Sequence, residues 1–97
     1  MSHWVLSRIA ARDLDEAHLY LCERGSIEAA SRMRDRIERA CEGLAELPGK
    51  GEERPDWTKR KVRFWFIHPY WIVYRPDTDP LEIIRILHAA HDIPPLV

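Results

Sequence analysis

No apolar run in this 97-residue sequence approaches the roughly 18 residues that a membrane-spanning helix needs. The opening Met1-Ser2-His3-Trp4-Val5-Leu6 lacks a basic stretch ahead of its apolar one, and Ser7-Arg8 interrupts it at once. No targeting peptide is visible, so a soluble, cytoplasmic protein with no membrane partner is expected. Excess charge is also missing. Fifteen Lys and Arg against sixteen Asp and Glu leave a formal charge of −1, which excludes the global basic signature of a nucleic-acid binder. Cysteine is scarce, with Cys22 and Cys41 alone. On two antiparallel helices turning near Gly25 they would lie roughly 16 Å apart, beyond the disulfide limit of about 7 Å, so both are read as reduced thiols. There are no repeats, no low-complexity segment and no internal boundary, and residues 1–97 read as one domain.

What is present suffices for a core. The chain is 45% hydrophobic and carries four Trp, three Tyr and two Phe. Its balanced charge hides an asymmetry. From Trp57 to Pro76 there is no acid, while Lys59, Arg60, Lys61, Arg63 and Arg75 sit there. Such a patch creates a local field that matters for a partner more than for the fold.

The order of elements is readable. Trp4-Val5-Leu6 is a strand candidate, and Ser7 caps a helix in which Ala10, Leu14, Ala17 and Leu21 recur at helical steps. Gly25 is expected to supply a left-handed residue at the helix end, and Ser26 to cap the next helix. That second helix carries one long stripe from Ile27 through Ala30, Met33, Ile37, Ala40, Cys41 and Leu44 to Leu47, stopped by Pro48-Gly49. Three strand-like runs follow: Lys61 to Ile67, Tyr70 to Arg75 and Leu81 to His88. The pattern predicts an α+β fold, β-α-α-β-β-β, with a helical hairpin packed on one face of a small antiparallel sheet.

Strand alternation then divides the sheet. Burying arginine beneath the helices is costly without a partner, so Val62/Phe64/Phe66, Ile72/Tyr74 and Ile84/Ile86 are assigned to the helix side. The other face would show Arg63, Arg75 and Arg85 among Trp65, Trp71, Ile83 and Leu87. A surface both cationic and apolar points to a binding face, made of Arg63, Trp65, Trp71, Arg75, Arg85 and His88. The alternative is that the arginines pair with acids such as Glu52, Glu53 or Asp56 over a second small core. His88-x-x-His91 is at best half of a metal site, and His3, His18 and His68 read as surface or turn positions.

Several segments carry a family likeness. Leu6-Ser7, Ala10 and Asp13-Leu14, the helix end Leu44-Ala45-Glu46-Leu47-Pro48 with Gly51, and Arg63 with Tyr70-Trp71-Ile72-Val73-Tyr74-Arg75 belong to it. So does the closing run Leu81-Glu82-Ile83-Ile84-Arg85-Ile86-Leu87-His88-Ala89-Ala90-His91-Asp92-Ile93. Together these resemble a ParE-type toxin of the ParE/RelE toxin–antitoxin superfamily. The resemblance implies a toxin that inhibits DNA gyrase by protein–protein binding, without catalytic residues, cofactor or metal. It also implies a cognate, ParD-like antitoxin that forms a hetero-oligomer with it, and no sequence-specific DNA binding by the toxin alone. The RelE branch shares the fold but cleaves mRNA on the ribosome, and a degenerate member would only bind its antitoxin. Fold alone does not choose between these. Ribonuclease chemistry needs groups to activate a 2′-hydroxyl, stabilise a phosphorane and protonate a leaving oxygen. Arg63, Arg75, Arg85 and His88 or His91 supply an incomplete set. His91 stands where the family ending often has Arg, and Pro94-Pro95 opposes a further helix.

Overall fold

The computed structural model describes residues 3–90. Strand β1 (Trp4–Leu6) leads into helices α1 (Arg8–Arg24) and α2 (Ile27–Glu46), then a 3-10 turn at Pro48–Lys50. Strands β2 (Arg63–Ile67), β3 (Tyr70–Arg75) and β4 (Leu81–His88) follow. The sheet order is β1-β4-β3-β2. Strands β2, β3 and β4 pair antiparallel as expected, but β1 pairs parallel with β4, Trp4 opposite Leu81 and Leu6 opposite Ile83. The sheet is therefore mixed. The two helices carry the chain across the sheet between β1 and the hairpins, which is what a parallel pairing requires.

Ser7 sits at the corner where strand becomes helix. Its N–H donates to the Ile83 carbonyl at 2.8 Å, its hydroxyl donates to the Ile84 carbonyl at 3.0 Å, and the same oxygen accepts from the Ala10 N–H at 3.0 Å. One residue thus ends β1 and caps α1, which fixes the angle between them. Ser26 caps α2 through the Ala29 N–H. Gly25 closes α1 with φ −124°, so it is not in the expected left-handed conformation. The helix instead ends through its N–H donating to the Leu21 carbonyl.

Helix α2 buries Ala30, Met33, Ile37, Cys41 and Leu44 at steps of three and four, and α1 buries Ala10 and Leu14. The stripe on α2 is shorter than its sequence pattern, because Ile27 and Leu47 at its ends are largely exposed. Ala10, Leu14, Met33, Ile37, Cys41 and Leu44 meet Tyr70, Ile72, Tyr74, Leu81, Ile83 and Ile86 of the sheet, with Trp65 and Ile67 at the margin. A second cluster of Val62, Phe64, Val73, Ile84 and Leu87 lies with Trp57 and Trp71.

Two expectations about faces fail here. In β2, Arg63, Trp65 and Ile67 stand opposite Tyr74, Ile72 and Tyr70, so they share the helix side. Phe64 lies in the second cluster, and Phe66 is 43% exposed. In β4, Val73 pairs with Arg85 while Tyr74 pairs with Ile83, leaving Ile84 as the extra residue of a bulge. A bulge breaks the two-residue alternation. Ile83 and Ile86, three apart, therefore both enter the main core, while Ile84 and Leu87 join the second cluster.

Candidate functional site

The second face is covered by the loop before β2. Trp57 stands edge-on to Phe64 at 5.1 Å and to Trp71 at 5.2 Å, near-perpendicular arrangements suited to the ring quadrupoles. The Arg54 guanidinium lies 3.5 Å from the centre of the Trp57 ring and pairs with Asp56 at 2.9 Å. Arg54 is thereby held strongly protonated, chiefly by its hydrogen bond to Asp56. The same contact holds the Asp56 carboxyl below its usual range. This is a small second core with an ion-paired outer layer.

The six residues assigned to one face are not brought together. Arg63 turns to the sheet edge, donating to the Gly51 carbonyl at 2.7 Å and lying 3.6 Å from Glu53. Burial beneath the helices is avoided because its guanidinium reaches past the rim. Trp65 is on the helix side, with the Lys50 ammonium 4.6 Å from its ring centre. Trp71 belongs to the second cluster. Arg75 lies 3.3 Å from Glu82, its cross-strand partner. Arg85 makes two contacts to Asp13 of α1, at 2.8 and 3.2 Å. His88 stands edge-to-face with Tyr70 at 5.4 Å, and its Nδ1 accepts from the Ala90 N–H.

Asp13 does more than neutralise Arg85. Strand β1 ends opposite Ile83, so among the described residues the edge of β4 beyond it has no strand neighbour. The Asp13 carboxylate accepts from the Ile86 N–H at 2.9 Å, standing in for a missing strand carbonyl. The pair is largely shielded, with side chains 32% and 14% exposed, and bidentate geometry makes it one of the stronger polar contacts in the fold.

Two surface depressions are of most chemical interest. A broad one of about 490 Å³ lies between Pro48-Gly49 and Lys59–Arg63, with Glu53 and Asp77 among its cations. Lys59, Arg60 and Lys61 are exposed on its rim, and Lys61 lies 3.5 Å from Asp77. The smaller, of about 180 Å³, lies between α1 and the sheet, lined by Asp13, Glu16, Tyr20, Tyr70 and His88 with Ala17 and Ile86. Of these only His88 was singled out from sequence as a site residue. Glu16, Tyr20 and Tyr70 carried no local signal, because their proximity arises only when α1 lies against β3 and β4. Among the described residues no group of three or more His, Cys, Asp or Glu could hold a metal ion. His91, partner of His88 in the candidate metal pair, and the end of the closing run lie outside the described residues. No helix among them is long and apolar enough to cross a membrane.

Comparison with known proteins agrees with this architecture. The chain is 36% identical over 91 residues to a protein of Sinorhizobium fredii named "Putative toxin Y4kP", covering 94% of this chain and 90% of that one. A solved structure titled "Chromosomal ParDE TA system from P. aeruginosa" matches with a TM-score of 0.75 at 23% identity, over 91% of this chain and 96% of that one. At that identity it speaks for the fold alone. The family model described as the ParE toxin of the type II toxin–antitoxin system parDE matches residues 5–93. With that match spanning both helices and all four strands, the chain belongs to the ParE toxin family of type II toxin–antitoxin systems.

Proposed function

We propose that this toxin acts by binding DNA gyrase and inhibiting it, and that a cognate ParD-like antitoxin binds the toxin in the cytoplasm and neutralises it. The observation that carries this reading is the ParE family match across residues 5–93. The electrostatics of the sheet support binding over ribonuclease chemistry. Arg63, Arg75 and Arg85 each lie against a carboxylate, Glu53, Glu82 and Asp13 respectively. Cations so neutralised are poorly placed to stabilise a phosphorane, which needs donors aimed at the developing charge.

The test sets purified toxin against gyrase supercoiling and, in parallel, against translation of a reporter mRNA. Loss of supercoiling with intact mRNA is expected. Ribosome-dependent mRNA cleavage with normal supercoiling would reject gyrase as target in favour of a RelE-like activity. No effect in either assay, with antitoxin binding retained, would identify a degenerate member that serves its operon only.

A further inference from the structure

The small depression between α1 and the sheet holds a polar group that the fold does not use. Tyr70 is 5% exposed, yet its hydroxyl has no hydrogen-bond partner among the described residues, and no side-chain polar atom there is both fully buried and unpaired. Tyr70 lines the depression, and its phenol is close enough to that of Tyr20, another lining residue, to feel its charge. Burial, and then the Tyr20 phenol, push the Tyr70 hydroxyl above its ordinary range, so it stays neutral and able to accept as well as donate. Glu16 lies on the rim, exposed and with no partner among the described residues. The wall between them is apolar, formed by Ala17 and Ile86.

This combination selects for one kind of occupant. A carboxylate on the rim, the phenol of the buried Tyr70 and an apolar wall suit a long side chain with an aliphatic stem and a cationic head. The volume of about 180 Å³ is that of one such side chain and too small for a helix. Asp13 is already neutralised by Arg85, so an anionic head would face the Glu16 carboxylate and be repelled.

We infer that this pocket is an anchor for a single Arg or Lys side chain of the antitoxin, its stem on Ala17 and Ile86 and its head shared between Glu16 and the Tyr70 hydroxyl. The inference rests on the proposed antitoxin reading and adds the chemistry of one contact point. Desolvated anchors of this kind carry a large share of interface energy.

The test co-expresses the full toxin with the product of the neighbouring reading frame and measures dissociation of the purified complex. Tyr70→Phe keeps the ring and its packing and should weaken binding about three- to tenfold; Glu16→Lys should weaken it at least tenfold. A scan of the antitoxin's Arg and Lys residues to Glu should then find one position whose loss is rescued by Glu16→Lys. Failure of the wild-type toxin to hold that product would overturn the antitoxin reading, and the anchor with it. Wild-type binding with unchanged affinity in both toxin variants, or no rescuable antitoxin position, would overturn the anchor alone.

Discussion

Removal of one oxygen at Tyr74 gives the sharpest test of how the fold is held. The Tyr74 ring is fully buried, and its hydroxyl donates to the Pro48 carbonyl at 2.6 Å and accepts from the Gly51 N–H at 2.9 Å. It thus ties β3 to the turn that follows α2, across 26 residues of sequence. Tyr74→Phe leaves the buried Gly51 N–H without its acceptor, a loss of about 1–3 kcal/mol. In a domain of this size each kcal/mol lowers the melting temperature by about 4–8 °C, so a fall of about 8–16 °C is expected for a loss near the middle of that range. Gly51 packs directly on this hydroxyl. Its φ is −72°, so conformation does not demand glycine; space does. A Cβ there would lie 2.5 Å from the Tyr74 hydroxyl, 2.8 Å from its ring and 3.0 Å from the Phe64 carbonyl. Gly51→Ala should cost about 1–3 kcal/mol or more by overpacking. In the Tyr74→Phe background the nearest clash is gone while the ring contact remains, so the two losses should couple by about 0.5–3 kcal/mol. Chemical denaturation of the four proteins measures this cycle. An unchanged melting temperature in Tyr74→Phe, or strictly additive losses, would show that this hydroxyl does not tie β3 to the turn.

Other perturbations have equally direct outcomes. Asp13→Ala removes the acceptor for both Arg85 and the Ile86 N–H and should lower stability by about 2–3 kcal/mol, with Asp13→Asn losing less, as read by urea midpoints. Cys41 is fully buried, and burial, followed by Glu38 and Glu42, pushes its thiol from 9.0 up to about 12. A thiol reagent at pH 8 should label Cys22, which is partly exposed, and spare Cys41 until denaturant is added. Because the folded value lies above the unfolded one, this group's stabilisation is intact below pH 9 and is lost progressively as pH rises from 9 towards 12. Cys41→Ala should flatten that part of the stability profile, and an unchanged slope would contradict the shift.

How much of this was legible in the sequence depended on how local the cause was. The stripe on α2, the Ser7 and Ser26 caps and the order of elements follow from residues within a few positions of one another, and periodicity records such causes directly. The family likeness was carried in the same way, by contiguous segments. The candidate site was not legible to that degree. Placing Arg63, Arg75 and Arg85 with two tryptophans on one face assumed unbroken alternation and cations left unpaired, and both assumptions concern partners distant in sequence.

A helical hairpin against a sheet and a likeness to the ParE toxins could both be read from the residues alone, because short-range pattern suffices for each. Which side chains share a face depends instead on contacts between distant segments. A single extra residue at Ile84 reverses the parity of β4, and the loop carrying Trp57 roofs the second face. Asp13 meets Arg85 across 72 residues. Register, bulges and long-range ion pairs are set by the assembled core, where shifting a strand by one position exchanges its two faces.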